Sequence, residues 1–93
     1  MRWVLSSFAA ALGALLLSAC GEAEPHPYPA DTQAAFNREC PAENPVCTCT
    51  WDGITRAMPY EEYQEAMETF RHEGLMDPRI TRVRTRCREK HAG

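Results

Sequence analysis

Cys47-Thr48-Cys49 places two thiols within three positions of one another. A C-x-C pair can cycle as a redox dithiol or hold a soft metal such as Cu(I) or Zn. Redox use needs an exposed thiol with a lowered pKa. Cys47 stands near a predicted helix start, where the helix dipole favours thiolate. Against that chemistry, the thioredoxin-type C-x-x-C is absent, and Cys40 and Cys87 are at hand as partners. In an oxidising compartment these four cysteines read as a disulfide framework with three possible pairings.

The other reactive side chains make no catalytic set. His26, His72 and His91 are scattered and show neither H-x3-H nor H-E-x-x-H spacing. Met58, Met67 and Met76 are dispersed, which suits gap filling in a core better than copper handling. Glu61, Glu62, Glu65 and Glu68 fall along one helix. Paired carboxylates can cleave glycosides, but a solvated acidic face is the commoner use, and a domain of this size has little room for a saccharide cleft. The expectation is no enzyme, no catalytic residue, no metal and no cofactor.

Charge is segregated. From Glu22 to Asp77 there are 12 acidic and three basic residues; from Pro78 to Gly93 there are six basic and one acidic. Arg79, Arg82 and Arg86 form one stripe of the last predicted helix, with Arg84 and Arg88 on another flank. Around Ile80, Val83 and Cys87 they make a cationic amphipathic helix. Such a helix could touch anionic lipid or an acidic partner, or pair internally with the acidic segment before it.

Four helical segments must position these groups. Ala30 to Glu39 opens with Asp31 as expected N-cap and ends before Pro41. Asn44-Pro45 is a cap followed by an N1 proline, after which Cys47, Trp51, Ile54 and Met58 share a face. Gly53 weakens that helix. Pro59 opens a third segment with Tyr60, Tyr63, Met67 and Phe70 as its stripe and Gly74 as its stop. Leu75 and Met76 plug the joint. Asp77-Pro78 repeats the cap signal, and Ile80, Val83 and Cys87 mark the last buried face. Short turns between helices predict a compact all-α bundle, residues 30–93, stapled by disulfides. Cys47 and Cys87 each lie on an apolar face, which points to Cys47–Cys87 and hence Cys40–Cys49. Gly21 to Pro29 holds three of the seven prolines and reads as an extended tether.

The first twenty residues are MRWVLSSFAAALGALLLSAC. One positive charge, a short apolar run and small residues before a cut site describe a secretory signal, too short to span a bilayer. Leu17-Ser18-Ala19-Cys20 resembles the lipobox of bacterial lipoprotein precursors. The resemblance implies a signal peptide over 1–19 that is cleaved, and a diacylglyceryl group on Cys20. Residues 20–29 then form the lipidated tether. Trp3 to Leu17 would be a helix detached from the mature domain. The address is the bacterial cell envelope, periplasm-facing. Gly21 in place of Asp leans toward the outer membrane over the inner. With the leader gone no serine remains, since Ser6, Ser7 and Ser18 all lie in it, so a serine nucleophile is excluded. The compartment excludes nucleic acid.

The layout Phe36, Cys40, Cys47-x-Cys49, Cys87 is similar to small exported bacterial proteins with no assigned activity. The expected role is an interaction or accessory module of the envelope, held to a membrane by its lipid, with an envelope protein or anionic lipid as partner. Two other roles stand beside it. One is a thiol or metal factor using Cys47 and Cys49. The other is a membrane-active or immunity-type lipoprotein acting through the basic helix.

Overall fold

The structure is a computed structural model that describes residues 23–92. The leader, the predicted Trp3–Leu17 helix and Cys20 lie outside the described residues. Four α-helices run in order: α1 Ala30–Glu39, α2 Pro45–Ala57, α3 Tyr60–Glu73 and α4 Pro78–Lys90. There is no strand among the described residues, and the fold is the all-α bundle that the periodicities predict.

Local chemistry sets the helix ends. The Asn44 side chain accepts the Val46 N–H at 2.9 Å, with Pro45 in the first helical position. Asp77 and Pro78 repeat the arrangement, Asp77 accepting the Arg79 N–H at 2.8 Å. The cap satisfies an orphan donor, and proline at N1 sacrifices no helical hydrogen bond. Gly74 ends α3 with φ 71°, a left-handed conformation that costs glycine nothing, and its N–H bonds Phe70 O. At α1 the expectation fails. The N-cap is Pro29, and Asp31 lies inside the first turn, where it faces the positive helix end without capping it.

The core lies between α2, α3 and α4, built from Ile54, Met58, Ala66, Ile80, Val83 and Cys87. Met58, just past α2, is wholly buried. The face of α3 is narrower than its sequence stripe suggests. Phe70 is 44% exposed and Leu75 64% exposed, so neither joins the core. Ala66 is buried instead, between half-buried Tyr63 and Met67, and Met76 alone packs at the joint. Thr50 and Thr55 are buried on α2, with hydroxyls donating to Val46 O at 2.7 Å and Asp52 O at 3.0 Å. These local bonds satisfy polar groups that would otherwise be costly to bury.

The disulfides are Cys40–Cys47 and Cys49–Cys87, with Cα separations of 5.4 and 5.7 Å. This corrects the pairing expected from the apolar faces. Two residues of advance turn a helical side chain by about 200°, so Cys47 and Cys49 leave α2 on nearly opposite sides. Cys47 faces the end of α1, which Cys40 caps. Cys49 lies four residues before Gly53, on the side that meets α4. A Cβ at position 53 would overlap Val83 Cγ1. Gly53 therefore marks the close approach of α2 to α4, and Cys87 stands one turn beyond Val83 to receive Cys49.

Helix α1 has no buried residue. It is held by its disulfide, by Phe36 against Trp51 with ring centroids 5.2 Å apart, and by the Thr32 hydroxyl donating to Tyr60 Oη at 3.2 Å.

The expected tether is docked from Ala23 onward. The His26 N–H bonds Thr55 O at 2.8 Å, the Tyr28 hydroxyl donates to Met58 O at 3.0 Å, and Arg56 Nη1 donates to Ala23 O at 2.8 Å. Tyr28 sits edge-on to Trp51 and Tyr60, with centroids 5.4 and 5.2 Å away. The segment has the composition of a linker, yet Tyr28 and two hydrogen bonds of the arm backbone fix it to α2 and α3.

Two expected outcomes follow from this packing. Gly53→Ala destabilises the domain by about 1–2 kcal/mol, because overpacking against Val83 outweighs the gain in helix propensity. Adding Val83→Ala recovers part of that loss, and a double-mutant cycle by chemical denaturation measures the coupling. Burial, then the neighbouring Tyr63 and Glu62, pushes the Tyr28 phenol up to about 12 from 10.0. A raised folded pKa gives stability that is fully present below about pH 10 and is lost as pH climbs through 12. Tyr28→Phe should cost about 1 kcal/mol at neutral pH through the lost bond to Met58 O. It should also flatten the alkaline decline, as read by denaturation at pH 8 to 12.

Candidate functional site

Cysteine chemistry does not assemble at Cys47 and Cys49. Each sulfur is bonded to a different partner, one toward α1 and one toward α4, so the adjacent dithiol does not exist in this fold. Cys47 and Cys87 are buried and Cys40 and Cys49 are half-buried, as structural bridges are. The lipidation candidate, Cys20, is outside the described residues. His26 lies in the docked arm, His72 on the last turn of α3 and His91 at the C-cap of α4. No group of three or more His, Cys, Asp or Glu side chains gathers to hold a metal among the described residues.

The basic helix divides into two kinds of arginine. Arg79 belongs to the fold. Its guanidinium donates to Asp77 at 3.0–3.1 Å and to Glu62 Oε1 across the α3–α4 joint. Those bonds, to Asp77 first and Glu62 second, raise its pKa. The same contact holds the Asp77 carboxyl below the usual carboxylate range. Asp77 thus caps α4 and clamps Arg79 with one side chain. The expected internal pairing between the basic helix and the acidic α3 occurs here. At Glu68, hydrogen bonds from Arg71 and then His72 also lower the pKa, within α3 itself.

Arg82, Arg84, Arg86, Arg88 and Lys90 are exposed, and none forms a salt bridge among the described residues. At four-residue spacing, Arg82, Arg86 and Lys90 run as one row beside the buried face, and Arg84 and Arg88 run along its other flank. Thr81, Thr85 and Glu89 lie between the two rows, on the outward line of the helix. Lys90 was not among the binding candidates read from the sequence. Its i+4 step from Arg86 was the signal that could have found it.

A shallow groove runs where α2 meets α4. Ala23, Gly53, Arg56, Val83, Arg86 and Lys90 are among the residues that line it. Arg56 spans its edge, holding Asp52 at 3.0 Å with its guanidinium while it fixes Ala23 O. The start of the docked arm and the end of the basic row therefore share one place on the surface. No helix of the described residues is long and apolar enough to cross a membrane. No family model, no curated protein and no solved structure matches the chain.

The arrangement suits charge-based contact. The groove is open, and around it stand the cations Arg86 and Lys90, the Arg56–Asp52 pair, the Cys49–Cys87 disulfide, aliphatic side chains and backbone. Asp77→Ala should destabilise the domain by about 1–2 kcal/mol, since it removes cap and clamp together. Single substitutions Arg82→Gln, Arg86→Gln and Lys90→Gln should each stay within about 0.5 kcal/mol. Because the folded pKa of Asp77 is lowered, its contribution is present above the ordinary carboxylate range and is lost as pH falls through the folded value. Asp77→Asn keeps a capping oxygen and removes the titration. Its stability should therefore fall less steeply below pH 4 than that of the unsubstituted domain, in thermal unfolding across pH 2 to 7.

Proposed function

We propose that the chain is a bacterial envelope lipoprotein whose small helical domain serves as a non-enzymatic interaction or accessory module. It would be anchored through Cys20 and face the periplasm, with the outer membrane favoured by Gly21. The observation that carries this reading is the cysteine arithmetic. Cys40, Cys47, Cys49 and Cys87 satisfy one another in two disulfides, which leaves Cys20 as the odd cysteine of five. It is also the residue that ends Leu17-Ser18-Ala19-Cys20. Disulfides of this kind belong to an oxidising compartment, in accord with export.

The domain supports the reading in a second way. Its polar chemistry is spent on capping, clamping and docking, and what remains at the surface is charge. A thiol or metal factor working through Cys47 and Cys49 would first have to break both bridges, and opening Cys49–Cys87 would free a pair 38 residues apart in sequence. Restoring that separation to the unfolded chain costs roughly 4 kcal/mol of stability in a domain that has little to spare.

The test is expression of the precursor in a bacterium supplied with an alkyne-bearing fatty acid. The mature chain should take the label, carry a diacylglyceryl mass on Cys20 and fractionate with membranes. Cys20→Ser should lose label and mass. An unlabelled mature chain in the soluble fraction would overturn the assignment.

A further inference from the structure

The arm and the basic helix together set an orientation. If Cys20 bears the lipid, it lies three residues before Ala23, so their α-carbons are at most about 11 Å apart. Ala23 is pinned to Arg56 in the groove that Arg86 and Lys90 also line. The anchor therefore leaves the domain beside the C-terminal half of α4, with almost no free chain between. A long tether would let any face meet the bilayer; this one does not.

We propose that the exposed face of α4 lies on the anionic phospholipid surface of the membrane that holds the anchor, an inference that rests on the lipoprotein reading above. That face carries Arg82, Arg84, Arg86, Arg88 and Lys90 against Glu89, a balance of +4. Its two rows of long cationic side chains flank the small Thr81 and Thr85, so both rows can reach headgroup phosphates while the helix axis lies flat. The rows span about 12 Å along the axis, comparable with the distance over which a surface potential decays at physiological salt. Arg79 takes no part, because Asp77 and Glu62 hold it. Glu24, exposed in the arm, and Glu22 oppose the attraction with two charges, so the face remains net positive where the anchor enters. Acyl group and basic face would act as two signals for one surface, the second fixing how the domain stands.

Lys90 is the one lysine of the sequence, so an amine reagent read on its peptide by mass spectrometry reports this face directly. The purified lipidated protein is placed in vesicles of pure phosphatidylcholine and in vesicles with 30% phosphatidylglycerol. At low salt the anionic vesicles should slow labelling of Lys90 roughly fivefold, and 0.5 M NaCl should restore the rate. The variant Arg82→Gln/Arg84→Gln/Arg86→Gln/Arg88→Gln should lose the protection. Arg38→Gln/Arg71→Gln, which removes cations from α1 and α3, should keep it. Equal rates in the two vesicles overturn the orientation, as does equal loss in both variants. The intact mass of each preparation reports Cys20 acylation separately. Should the chain prove unacylated, the anchor reading falls, and the unacylated chain added to the same vesicles tests the α4 face alone.

Discussion

Helix α2 packs tightly against α4, and the rest of the fold is arranged around that seam. Gly53 lets the two backbones come together over Val83, and Cys49 bonds Cys87 one turn away. A covalent bond and a missing side chain fix the same seam. Because the seam uses one side of α2, the other side is free to carry Cys47 and Trp51 toward α1 and the arm, while Ile54 and Met58 join the core shared with α3 and α4. A chain this short cannot build two cores, and instead it uses both faces of one helix. Cys47 and Cys49 are close in sequence for this reason: each serves a different face.

The sequence carried the boundaries of these elements well. Asn44-Pro45, Asp77-Pro78 and Gly74 act within one turn of chain, so their caps could be read without tertiary knowledge. What depends on tertiary contacts is not legible in the sequence. The apolar faces point to one seam through Cys47, whereas Cys49 and Gly53 form a second seam against α4. Phe70 has the period of a core residue and is exposed, because α3 meets its neighbours through its first two turns, from Tyr60 to Met67. The arm looked like linker by composition, and no local rule reports that the carbonyl of Met58 stands ready for Tyr28. Of the binding candidates, Arg79 was legible as an arginine near acids but not as one already clamped, since Glu62 is 17 residues away in sequence.

Docking the arm changes what a lipid on Cys20 would do. A free tether of ten residues makes a lipid only a leash, and the domain then samples every orientation. Fixing Ala23 beside α4 would shorten that leash to a few residues, so that a lipid on Cys20 would constrain which face meets the bilayer. The Tyr28 cluster, which lies among α2, α3 and the arm, would thus act on membrane geometry at a distance by holding the arm down.

Charge segregation completes the same logic. An acidic domain would be repelled by an anionic surface if its charges were evenly mixed. Here the carboxylates are concentrated before Asp77 and the cations after it. The only ion pair that crosses between helices among the described residues, Arg79 with Glu62, sits at the joint between the two zones. Clamping one arginine there stiffens the corner, and the outer cations of α4 form no salt bridge among the described residues. Internal neutralisation stops where the fold no longer needs it, and the remaining positive charge lies on the helix beside which the arm begins at Ala23.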